Sequence, residues 1–147
     1  MPWQTPGQSP TSWLTIFLLG LLGCDSGNLT YPAGGRVAFP DGTPLDGGAV
    51  EFRSLETRPS VGARGIIQPD GTFRLTTYKP GDGAVPGTHQ ALVVPKRPPG
   101  HQWDEMRGSS QMATLHPKYQ RFESSGLEYT VTENASKNEF QITVQTP

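Results

Sequence analysis

What most limits the folds open to this chain is a set of short runs in which apolar and polar residues alternate. Alternation with a period of two puts one set of side chains on one face of an extended strand, whereas a helix needs apolar residues three and four apart. Arg36-Val37-Ala38-Phe39, Val50-Glu51-Phe52-Arg53, Phe73-Arg74-Leu75-Thr76 and the runs 127–132 and 140–145 all alternate in this way. Residues 63–68 do so more loosely. Ala91-Leu92-Val93-Val94 is apolar on both faces, as suits a central strand covered from both sides. The reading is seven short strands and no convincing amphipathic helix. Phe52, Phe73, Leu75, Val93, Phe140 and Ile142 are expected to face the core: all but Val93 are flanked by polar neighbours that must point the other way, and Val93 lies in the run that is apolar on both faces.

One turn sequence occurs twice between these runs, as Pro40-Asp41-Gly42-Thr43 and Pro69-Asp70-Gly71-Thr72. Proline presets its own φ, aspartate hydrogen-bonds back into the turn, and glycine accepts positive φ. An Asp-Gly pair between alternating runs is a hairpin signal. With 18 glycines, 15 prolines and a hydrophobic fraction of 33%, the composition fits a turn-rich β protein once the alternation is taken into account. A chain of 147 residues has room for one core. The expected fold class is therefore all-β: a seven-stranded antiparallel β-sandwich. Only residues 96–126 resist the scheme. They hold His101, Trp103 and His116 with little periodicity, and a loop of that length inside a small domain is usually functional or disordered.

Charge and cysteine content remove whole classes of function. Twelve basic and 13 acidic residues leave no basic surplus to neutralise phosphates, so no nucleic-acid partner is expected. The single cysteine allows neither an intrachain disulfide nor a thiolate zinc cage nor a Cys-x-x-Cys redox pair.

That cysteine ends a distinctive segment. Residues 1–23 contain no charged side chain, and the run from Trp13 to Gly23 is the only long apolar stretch in the chain. It has the length of a signal-peptide hydrophobic region and falls well short of the ~20 residues that span a bilayer. It closes on Leu21-Leu22-Gly23-Cys24, which resembles a bacterial lipobox. The resemblance implies a diacylglycerol on the Cys24 thiol, cleavage between Gly23 and Cys24, and attachment to a membrane of the cell envelope through the lipid. The run departs from the pattern in having no Lys or Arg before it. The polar sequence Asp25-Ser26-Gly27-Asn28 suits the residues beyond a cut. The expected organisation is a signal peptide at 1–23, lipidated Cys24 with a tether to residue 34, and the sandwich domain over 35–147.

A wider likeness runs through the rest of the chain. Gly35-Arg36-Val37, Asp41-Gly42-Thr43-Pro44-Leu45, the stretch from Pro69-Asp70-Gly71-Thr72-Phe73 through Lys79-Pro80-Gly81-Asp82-Gly83-Ala84 to Val93-Val94, then Pro117-Lys118-Tyr119, Ser125-Gly126-Leu127 and Asn138-Glu139-Phe140 form an ordered series. The series resembles the carboxypeptidase-regulatory-like domains of short planctomycete lipoproteins, over about residues 33–146. It implies a prealbumin-like (transthyretin-like, Ig-like) Greek-key sandwich that does no chemistry of its own. This chain carries His89 where such domains more often have Tyr or Lys.

The enzymatic alternatives are short of parts. A zinc site of the metallocarboxypeptidase kind needs two histidines and a carboxylate around an open position. His101, Asp104 or Glu105, and His116 supply the residue types, at a spacing that fits no known short motif. Hydroxyisourate hydrolase shares the prealbumin-like fold but ends in Tyr-Arg-Gly-Ser. Here Met106-Arg107-Gly108-Ser109 lies in mid-chain and the C-terminus reads Gln145-Thr146-Pro147. Ser109, Ser110, Ser124 and Ser125 lie in no Gly-x-Ser-x-Gly elbow. Asp41, Asp46, Asp70 and Asp82 have the oxygen chemistry for calcium, but turns already account for them. Trp103 and Tyr119 have the faces to stack on a sugar. The expectation is no enzyme, no cofactor and no metal, but a membrane-anchored lipoprotein whose sandwich is a structural or interaction module for an envelope protein or glycan. The competing reading is a metal- or carbohydrate-binding accessory, or a hydrolase, with its site in loop 96–126.

Overall fold

The computed structural model describes residues 29–96 and 115–147. Among these residues seven strands make two sheets: β1 (Gly34–Ala38), β2 (Ala49–Ser54), β3 (Gly62–Ile66), β4 (Thr72–Arg74), β5 (Gly87–Val94), β6 (Leu127–Val131) and β7 (Glu139–Thr143). A three-stranded sheet has the order β4-β1-β7 and a four-stranded sheet the order β3-β2-β5-β6. Six of these strands overlap an alternating run, and the apolar run at 91–94 forms the second half of β5, between β2 and β6. Among the described residues no helix is long and apolar enough to cross a membrane.

The two sheets bury one core between their inner faces. Phe52, Phe73, Leu75, Val93, Phe140 and Ile142 are all buried in it, as the alternation requires. Phe52 is its hub. Its ring stacks on Tyr129 at 5.7 Å and meets Phe140 at 5.6 Å and Phe73 at 6.5 Å, so one side chain of β2 links both sheets. Aromatic pairs of this kind add about 0.5–1.5 kcal/mol beyond the area they bury.

The pairing is antiparallel with one exception, which corrects the expectation of a wholly antiparallel sandwich. β1 and β7 run parallel, with Gly35 opposite Phe140 and Val37 opposite Ile142. Hairpins force neighbours in sequence to run antiparallel, but β1 and β7 are the first and last strands and no turn constrains them. After β6 the chain passes through a short 3₁₀ turn (Ala135–Lys137) into the other sheet and lies down beside β1.

Both Pro-Asp-Gly-Thr turns are built alike. The Thr43 and Thr72 amides each donate to the preceding aspartate at 2.9 Å, and Gly42 and Gly71 adopt φ of 87° and 83°. At Gly71 a side chain would be strained by that φ, and its Cβ would also come 2.5 Å from the Val37 carbonyl. Among the described residues, the first to pair with the sheets is Tyr31, within the stretch that composition assigns to a tether. Tyr31 exchanges backbone hydrogen bonds with Ala84, and the buried Ala33 accepts from the Leu75 amide.

Candidate functional site

Cys24, the lipidation residue named from the sequence, lies outside the described residues, as do His101, Trp103, Asp104, Glu105, Ser109 and Ser110. The described end of loop 96–126 is part of the fold. Leu115 is fully buried, Pro117–Gln120 forms a 3₁₀ turn, and a single helical turn, α1 (Phe122–Ser125), follows. The His116 Nδ1 accepts from the Lys118 amide at 3.2 Å, capping that 3₁₀ turn. Tyr119 is buried in the core cluster, which rules out its use as a sugar-stacking platform. Arg53 holds α1 against the outer face of the four-stranded sheet. Its guanidinium bonds Gln90 at 2.8 Å and Glu123 at 3.1 Å and sits 4.3 Å above the Phe122 ring.

The remaining candidates serve local structure. The Ser124 hydroxyl donates to the Lys118 carbonyl, and Ser125, buried, donates to Phe122 and accepts from the Leu127 amide. The Asp41 and Asp70 carboxyls are held below their ordinary value chiefly by hydrogen bonds from Thr43 and Thr72 respectively. Asp82 accepts from the amides of Thr77, Tyr78 and Lys79 at 2.7–3.0 Å. Asp46 lies 3.9 Å from the Lys96 ammonium. Among the described residues no three His, Cys, Asp or Glu side chains gather as metal ligands would. His89 and His116 take up separate tasks, one inside the sandwich and one at the cap of a turn.

The candidate site that sequence reasoning missed is an open cleft of about 790 Å³ where the outer surfaces of β3 and β4 meet. Two backbone hydrogen bonds between Arg64 and Thr76 join the sheets at this corner. Beside them Arg64, Ile66, Gln68, Thr72, Arg74 and Glu139 line the cleft. Ile66 is 57% exposed, an apolar side chain left on the outer face of an edge strand. Arg64 pairs with Glu51 at 3.3 Å and Arg74 with Glu139 at 3.0 Å. Exposed pairs of this kind contribute at most ~1 kcal/mol, so an incoming acidic group can displace either carboxylate at little cost. Guanidinium groups grip carboxylates through two parallel N–H donors. The lining offers donors, acceptors and an apolar spot, which is equipment for binding. A signal did exist in the sequence: Ile66, in the loosely alternating run, is the apolar residue that falls on the polar side of its strand.

Set against known protein families, curated proteins and solved structures, the chain matches none.

Proposed function

We propose that this protein is a bacterial lipoprotein, held to an envelope membrane by a lipid on Cys24, whose prealbumin-like Greek-key sandwich binds a partner and catalyses nothing. The leader and lipobox-like Leu21-Leu22-Gly23-Cys24 support the anchor. A diacylated cysteine suffices for stable attachment, since each buried CH₂ adds about 0.8 kcal/mol and two chains hold where one does not. The two-sheet architecture and the ordered turn motifs support the choice of sandwich type.

The observation that carries the binding half is the corner cleft, with Arg64 and Arg74 beside an exposed isoleucine. The partner is an envelope protein or glycan bearing carboxylates. Pull-down from envelope extracts with the wild-type chain and with Arg64→Ala/Arg74→Ala tests this. The double variant is expected to lose the partners that the wild type retains, and a chain shortened within 100–114 is expected to keep them. Equal recovery by the double variant would remove the cleft from the proposal, and loss on shortening alone would move the binding surface to the loop.

A further inference from the structure

His89 is a histidine enclosed by the sandwich. It projects from the inner face of β5 and is 1% exposed, between Ser54 of β2 and Tyr129 of β6 in the pairing register. Its Nδ1 lies 3.0 Å from the Gly87 carbonyl, an acceptor, so the ring proton of the neutral form belongs on Nδ1. Nε2 is then a bare lone pair. Among the described residues it is the only buried side-chain nitrogen or oxygen without a hydrogen-bond partner. The Phe52 ring stands with its centroid 6.0 Å from that of the imidazole.

The two protonation states fare differently in such a place. A neutral ring loses one weak hydrogen bond when Nε2 is left unpaired. An imidazolium would direct a charged N–H into the buried interior with no acceptor in hydrogen-bond reach, a far larger penalty. We propose that His89 is an acid trigger built into the core: protonation at Nε2 drives the ring out and releases the β5–β6 edge of the four-stranded sheet. β6 is the strand exposed to this, because among the described residues it lies at the sheet edge with β5 as its one strand partner.

The groups around the ring do not remove the bias. Burial pushes the imidazole down, and this outweighs the upward pull of the Gly87 carbonyl and of Glu56. Glu56, from the β2–β3 connection, is the charged group that favours the imidazolium, but its carboxylate is engaged by the Thr88 amide at 2.7 Å. Tyr129 on β6 is pushed up by burial and by Tyr119, and stays a neutral phenol through the relevant range. Ser54 and Phe52 on β2 carry no charge. Phe140, which packs on Tyr129 from the facing sheet, carries none either.

The direction of the pH effect follows. The folded imidazole titrates below its ordinary value of 6.5, so the unfolded chain takes the proton first. The stability tied to neutral His89 is complete above that value and drains away as the pH falls below it. A one-proton difference lowers the folding equilibrium constant about tenfold for each pH unit.

Urea unfolding of the full chain between about pH 8 and pH 5, wild type against His89→Gln, reads this directly. His101 and His116 remain in both proteins, so the difference isolates His89. The wild type is expected to lose about tenfold per unit below roughly pH 6 relative to the variant. Parallel curves would overturn the proposal. If the glutamine variant does not fold, nitrogen NMR of the wild-type imidazole decides. A ring that stays neutral with its proton on Nδ1 until the sandwich opens supports the trigger, and a ring that titrates normally inside the intact sandwich refutes it.

Discussion

Asn138 shows how a single polar side chain can be fully buried at no penalty. It has no exposed surface, yet every hydrogen-bonding position is used. Its Nδ2 donates to the Pro32 and Thr132 carbonyls at 3.1 and 2.8 Å, and its Oδ1 accepts from the Thr132 amide and hydroxyl at 2.9 and 3.1 Å. The bond to Pro32 fastens the β6–β7 connection to the segment that leads into β1. Asn138→Ala would remove the partner of these backbone groups at exposed Pro32 and half-buried Thr132, a loss of roughly 1–2 kcal/mol by the usual worth of such hydrogen bonds. Urea unfolding at neutral pH measures it, and a loss near zero would mean that Asn138 does not hold the connection. In the sequence Asn138 reads as a turn residue before a strand. Its remote partner is invisible there, because the pairing exists only once β7 has crossed to the other sheet.

The elements divide by how local their causes are. The strands were legible because the pleat turns burial on one face into alternation along the chain, as at Phe73-Arg74-Leu75. The turns were legible because aspartate supplies the hydrogen bond that closes the turn and glycine accepts the positive φ that it requires. The parallel β1–β7 pair was not, since no local signal sets the direction of strands so far apart. The folded part of loop 96–126 was overlooked although it left a trace: Leu115, Tyr119 and Phe122 fall four and three residues apart, a helical spacing in a segment too short to stand out. The Asp82 loop gives this scale its prediction. Burial pushes the Asp82 carboxyl up, but the amides of Thr77, Tyr78 and Lys79 more than offset it and hold the carboxyl below its ordinary 3.8. Its contribution is therefore complete above about pH 4 and is lost as the pH falls through the lowered folded value. Asp82→Asn should lower the unfolding temperature at neutral pH, with the gap to wild type narrowing as the pH falls below about 4. A gap that does not change with pH would show that the carboxylate charge plays no part.

At the scale of the molecule, one core serves both sheets, and the proposed binding cleft lies on their outer surfaces. The alternating runs made an all-β protein legible, and the inward placing of Phe52, Phe73 and Phe140 follows from them. The cleft did not follow, because it is assembled from β3, β4 and β7, whose outward residues look like any solvated face until the corner at Arg64 and Thr76 brings them together. The proposed anchor is the reverse case, read from sequence alone and placed before the described residues. If it is right, the sandwich works within reach of a membrane surface, and its cleft samples only partners of the envelope. Mass spectrometry of the protein extracted from its own cells tests this account most directly. The account predicts an N-terminus at Cys24 with a diacylglycerol on its sulfur. A chain that keeps residues 1–23, or that carries an unmodified Cys24, would contradict it.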